Sequence, residues 1–83
     1  MNPRVRHLTL QPQHRLLLEF DNGETRLFDA TPYLDRGVFR ALQDERDFAK
    51  AFVLDGSVEW PGEIDLSFDT LYLRSAALAT ASA

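Results

Sequence analysis

From Arg15 to Phe20 the chain alternates: Leu16, Leu18 and Phe20 fall at every second position, with Leu17 and Glu19 between them, which predicts a strand with one apolar face. Asp21-Asn22-Gly23 follows as a hairpin signal, and Glu24 to Asp29 reads as the return strand. A two-residue Asn22-Gly23 turn sets Leu18 opposite Leu27 and Glu19 opposite Arg26. A three-residue loop with Gly23 in a bulge shifts every partner by one. The cross-strand charge pair favours the first register. Upstream, Arg4 to Leu10 carries Val5, Leu8, Thr9 and Leu10 and stops at Gln11-Pro12, where the residue before proline is held extended, so it predicts a further strand.

The period then changes. Thr31-Pro32 suits a helix start that Gly37 soon interrupts, so a single turn is expected. Val38, Phe39 and Leu42 have the spacing of an apolar helical stripe, and Asp44 with Asp47 resembles a capping box ahead of Phe48 and Ala51. Ala51 to Leu54 and Val58 to Trp60 flank Asp55-Gly56 as a second hairpin. After Pro61-Gly62, Ser67 can cap a last helix through Phe68, Leu71 and Tyr72, with Asp69 in its first turn. The expected fold class is α+β: a small antiparallel sheet with three N-terminal strands, two short helices, a second hairpin and a C-terminal helix. Residues 1–74 form one domain, and 75–83 are expected to be a flexible Ala-rich tail whose last six or so residues fray.

At 83 residues there is room for one core, to which six Phe, two Tyr and one Trp offer large apolar area. Without cysteine the chain has no disulfide framework and no thiolate chemistry, which points to a reducing cytoplasm. No run approaches the roughly 20 apolar residues of a membrane span, so no membrane association is expected. The net charge of −4 argues against direct nucleic-acid binding, which draws on clustered Lys and Arg. Charge is also uneven. Arg4, Arg6 and Arg15 occupy residues 1–18 with no acid, while Asp55, Glu59, Glu63, Asp65 and Asp69 occupy 55–73 with no base, so two ends can attract within or between chains.

The order Leu16-x-Leu18-x-Phe20-x-x-Gly23-Glu24, then Phe28-Asp29, Phe39-x-x-Leu42, Phe48, Trp60-Pro61-Gly62, Asp65-Leu66 and Leu71-Tyr72 resembles the small bacterial proteins grouped as domain of unknown function 2442, over about residues 4–74. The resemblance implies a compact α+β domain and no established activity. Some relatives look to be fused to a helix-turn-helix domain, and others appear beside a second small protein, as in toxin–antitoxin-like pairs. The family often has proline after the residue matching Ser67, where this chain has Phe68.

Trp60, Pro61, Gly62, Glu63, Asp65 and Leu66 read as a surface corner: an aromatic anchor beside a rigid turn and an acidic rim is how many interaction hot spots are built. The competing reading makes Trp60 a core plug and the Pro-Gly pair a plain turn. Arg4, Arg6 and Arg15 are candidate contacts if the first strand lies at a sheet edge, where free backbone groups accept a partner strand. Glu63, Asp65 and Asp69, with Asp29, could converge for acid/base or hard-metal chemistry, the least favoured reading. Asp21-Asn22-Gly23-Glu24 lacks the ligand series of an EF-hand, and His7 and His14 read as surface histidines. No cofactor and no metal are expected. The expected function is a non-enzymatic protein-protein interaction module whose partner is another small protein or itself, as a homodimer. The alternatives are a regulatory subunit acting on DNA through a partner and a minimal acid/base enzyme.

Overall fold

In the computed structural model, which describes residues 2–78, the strand β1 (Val5–Gln11) pairs antiparallel with β2 (Arg15–Phe20), and β2 with β3 (Thr25–Asp29). The alternation of β2 holds: Leu16, Leu18 and Phe20 are fully buried. The register is the three-residue one, so Glu19 faces Thr25 and Leu18 faces Arg26, correcting the two-residue turn favoured from the charge pair. Phe20 N donates to Glu24 O at 2.8 Å and Gly23 N to Phe20 O at 3.0 Å, and Gly23 takes the left-handed conformation at φ 90° that such a loop requires. Burial decides this. In the observed register Leu16 faces Phe28 and both enter the core, whereas the alternative sets Asp29 opposite Leu16 and sends Phe28 outward. Burying a Phe is worth about 1.5–3 kcal/mol, against about 0.2–1 kcal/mol for an exposed charge pair.

The β1–β2 turn carries two consecutive left-handed residues, Gln13 (φ 64°) and His14 (φ 58°). His14 O accepts from Ala30 N at 3.0 Å, and its Nε2 lies 3.1 Å from Leu42 O and 3.0 Å from Gln43 O. Facing two carbonyls, that nitrogen must carry the hydrogen. The ring edge meets Phe48 at 4.9 Å, so His14 is a half-buried structural tie and not the surface histidine expected; His7 is exposed.

Thr31–Tyr33 form one 3-10 turn. Its N-terminal contact comes from Asp29, whose Oδ1 accepts from Thr31 N at 3.0 Å, and not from the Thr31 hydroxyl. A second 3-10 helix spans Gly37–Leu42. At three residues per turn Phe39 and Leu42 align inward, while Val38, expected in the same stripe, is 60% exposed. Helix α1 (Glu45–Phe48) is capped by Asp44, whose Oδ1 accepts from Arg46 N at 2.9 Å. Asp47 does not complete a capping box; its carboxylate lies 3.5 Å from Lys50 Nζ.

The second sheet has the order β4 (Phe52–Leu54), β5 (Ser57–Trp60), β6 (Ile64–Leu66). Asp55-Gly56 is the expected two-residue turn, with positive φ at both positions. Strand β6 escaped prediction because Ile64-Asp65-Leu66 is too short to show a period; it forms because Ile64 and Leu66 pair with Trp60 and Val58 on the buried face. Ser67 then caps α2 (Phe68–Arg74), its Oγ accepting from Thr70 N at 3.3 Å. Phe68 N donates to Ser57 Oγ at 3.1 Å, a bond that proline at this position would lose.

The core joins both sheets and α2 through Leu16, Phe20, Phe28, Val58, Trp60 and Leu71. Trp60 is 2% exposed and donates Nε1–H to Phe48 O at 2.8 Å, so it plugs the core. An aromatic series runs Phe28, Tyr33, Phe39, Trp60, Phe48 with centroid separations of 5.6, 6.0, 6.5 and 5.6 Å. Beyond α2, β7 (Ala76–Ala77) pairs with β3 and completes the first sheet in the order β1-β2-β3-β7, inside the stretch read from sequence as tail. The expected fraying concerns mainly residues 79–83, which lie outside the described residues. Among the described residues no helix is long and apolar enough to cross a membrane.

Candidate interaction surfaces

The β5–β6 loop consists of Pro61, Gly62 and Glu63, with positive φ at Gly62 (94°) and at Glu63 (63°). Of the six corner residues, Trp60 is the core plug of the competing reading, and Leu66, read as a contact, also points into the core; neither offers surface to a partner. Pro61, Gly62, Glu63 and Asp65 are exposed. Pro61 and Gly62 line a cleft of about 380 Å³ together with Ala41 and Leu42 from the 3-10 helix and the Asp47–Lys50 pair of the α1 region.

Asp65 lies on the other face of the hairpin. Across the outer face of the second sheet, Phe52 pairs with Glu59 and Glu59 with Asp65, while Leu54 pairs with Ser57. Phe52 and Leu54 are 43% and 46% exposed. Like charges directly opposite each other repel, and among the described residues neither acid meets a basic or hydrogen-bonding side chain. This patch of apolar side chains beside two unpartnered carboxylates was not legible from sequence, because the pairing of Glu59 with Asp65 depends on β6, which the sequence does not show.

Strand β1 does lie at the edge of its sheet. The three arginines fare differently there. Arg4 is engaged within the fold: its Nη1 donates to Asp55 O at 3.1 Å, and its guanidinium sits 4.6 Å from the Phe68 ring centroid. Val5 N, donating to Gly56 O at 2.9 Å, closes that end of the edge. Arg15 is half-buried and donates Nε–H to Pro12 O at 3.0 Å. Only Arg6 projects without a side-chain partner among the described residues.

A polar constellation that sequence reasoning missed joins β3, α2 and β7. Glu24 accepts from Tyr72 Oη at 2.7 Å, Asn22 Nδ2 at 2.8 Å and Arg26 Nη1 at 2.9 Å. Arg26 also donates to Ser75 Oγ and Ser75 O at 2.8 and 2.7 Å, with its guanidinium 4.5 Å from the Tyr72 ring centroid. The Tyr72 hydroxyl first, then Asn22 and Arg26, hold the Glu24 carboxyl below the usual carboxylate range, and Glu24 pushes the Tyr72 hydroxyl up. Spacing hints only at the Glu24-x-Arg26 half, two residues apart on one strand face; its partners are 48 and 49 residues away. Its long-range bonds, Tyr72 to Glu24 and Arg26 to Ser75, tie the β2–β3 hairpin to α2 and the residue after it, so it clasps the fold.

The four acids considered for chemistry are dispersed. Asp29 holds Thr31, Asp69 accepts from Asn2 Nδ2 at 2.8 Å, Glu63 stands in its loop and Asp65 on its strand. Among the described residues no three His, Asp or Glu gather as metal ligands.

A family model described as protein of unknown function (DUF2442) matches residues 5–77, from the start of β1 to the end of β7. The chain belongs to this family. No curated protein and no solved structure matches it. The residues by which the chain resembles the DUF2442 family are mostly those that build its fold. Leu16, Leu18, Phe20, Phe28, Trp60, Leu66 and Leu71 are core, and Gly23 and Gly62 hold left-handed loop positions. Asp29, Pro61, Gly62 and Asp65, which belong to the same resemblance, are exposed and reach the surfaces described above.

Proposed function

We propose that this DUF2442 domain is a non-enzymatic protein-protein interaction module of the bacterial cytoplasm, one half of a two-protein pair of the toxin–antitoxin kind, with the outer face of the second sheet as its docking surface. The observation that carries this is the row Phe52, Glu59, Asp65 with Leu54 beside it. Two unfavourable features coincide there, exposed apolar area and opposed carboxylates. A partner offering Lys or Arg beside apolar side chains relieves both together. Charge complementarity of this kind sets orientation and speeds encounter, while the apolar contact holds the complex.

The test is capture of the tagged protein from its native cells, beside Asp65→Lys and Phe52→Ser forms. One stoichiometric protein is expected with the wild type and is lost from both variants, neither of which melts below the wild type by more than a surface substitution allows. Retention by both variants would remove this surface, and capture of nothing by the wild type would remove the module reading.

A further inference from the structure

The nine basic side chains are not equally committed. Arg26, Arg46 and Lys50 pair with acids, while Arg4 and Arg15 donate to main-chain carbonyls. Among the described residues Arg6, Arg36, Arg40 and Arg74 meet neither a carboxylate nor a carbonyl. Two of these four line one groove of about 230 Å³. Arg36 reaches it from the segment between the two 3-10 helices and Arg74 from the last turn of α2. Pro32 and Tyr33 supply the apolar wall, and the Arg36 guanidinium carbon lies 5.7 Å from the Tyr33 ring centroid. Asp29 completes the lining.

From this we infer that the groove is a binding site for a peptide carboxylate: the side chain of an acidic residue in an extended segment of a partner protein. Two guanidinium groups without intramolecular acids, in a chain of net charge −4, mark where an anion is wanted. The volume falls below the roughly 300–1,000 Å³ of small-molecule sites and suits one side chain. Asp29 separates a peptide from a phosphate. Its carboxyl is held below the ordinary range by Thr31, and its negative charge repels a phosphate dianion or a nucleic-acid backbone more strongly than the single charge of one side-chain carboxylate. The same carboxylate accepts an N–H, which a peptide carries next to its acidic side chain. The site is separate from the outer face of the second sheet and stands whether or not that face docks a partner.

The test is an NMR titration of the full chain, following the arginine Nε–H signals of Arg36 and Arg74 and the Tyr33 amide. The probes are a short acetylated peptide containing glutamate, its glutamine counterpart, inorganic phosphate and an oligothymidylate. The glutamate peptide is expected to shift these three signals and the glutamine peptide to leave them. Arg36→Gln/Arg74→Gln should weaken binding about tenfold or more, as loss of charged bidentate donors does. Arg6→Gln/Arg40→Gln, which removes the same charge elsewhere, should leave binding unchanged. All four arginines except Arg6 sit off the strands and none is buried, so the variants keep the fold. Equal weakening in both double variants would reduce the effect to long-range charge and overturn the site. So would tighter binding of phosphate or the oligonucleotide, no shift at saturating peptide, or self-association abolished by the groove variant, which would make a second copy the occupant. Because Asp65→Lys leaves the groove intact, failure here and failure of the docking face are read separately.

Discussion

The two sheets place their charges differently. On and beside the first sheet each acid of the β2–β3 hairpin has a counterpart: Glu19 faces His7 at 4.0 Å, Asp21 accepts from Arg4 N at 3.2 Å, Glu24 takes Arg26, Asn22 and Tyr72, and Asp29 holds Thr31. On the second sheet Glu59 and Asp65 face each other beside exposed Phe52 and Leu54. Both sheets bury side chains on their inner faces, Leu16, Leu18, Phe20 and Phe28 in one and Val58, Trp60, Ile64 and Leu66 in the other, so the difference lies on the outside. A surface arranged for the stability of the isolated domain looks like the first; the second keeps an arrangement that the isolated domain does not need.

Breaking the inner face of the second sheet should have the largest effect. Trp60→Ala removes a buried ring and its bond to Phe48 O, and deletions of this kind cost about 3–5 kcal/mol. In so small a domain that should abolish the cooperative thermal transition, and a stable Trp60→Ala protein would contradict the core role. Next comes the junction between the sheets. An added Cβ at Gly56 would lie 2.5 Å from Arg4 Cβ, at a φ of 83°, and strain of this order costs about 1–3 kcal/mol. Gly62→Ala shares the positive φ but meets nothing within 4 Å, so denaturant melts should rank it as the milder change.

Acid sharpens the contrast between paired and unpaired carboxyls. Asp44, held by Arg46, has its carboxyl lowered to about 2, and Glu24 is lowered by Tyr72, Asn22 and Arg26. A carboxyl depressed in the folded state contributes stability that is present above its unfolded pKa and lost as pH falls through the folded one. Denaturant melts should therefore be level above the ordinary carboxylate range of about 4 and decline toward pH 2. Glu24→Gln should make that decline shallower.

The smallest effect is the most telling. Asp65→Lys turns the opposed carboxylates into an attractive pair, which contributes about 0.2–1 kcal/mol between strands. The variant should melt slightly higher than the wild type while losing its partner. A fall in melting temperature would show that Asp65 serves the fold.

Much of this architecture is legible along the chain because alternation, turn residues and the Ser67 cap each act over a few positions. What was not legible depends on distant groups. The first hairpin's register is settled by where Phe28 goes, not by Glu19 and Arg26. His14 draws its role from Leu42 and Gln43, and Tyr72 from Glu24. The candidate corner divides for the same reason: its Pro-Gly turn, its carboxylates and a core role for Trp60 were readable, whereas the burial of Leu66 depends on β6, which is too short to show a period.

Strand β7 covers an edge without adding to the core. Every core residue lies at or before Leu71, yet the far edge of β3 is covered only by Ala76 and Ala77, and Ser75 gives Arg26 its acceptors. A fragment ending at Arg74 therefore keeps every core residue while leaving one strand edge of the first sheet open to edge-to-edge pairing with its own kind.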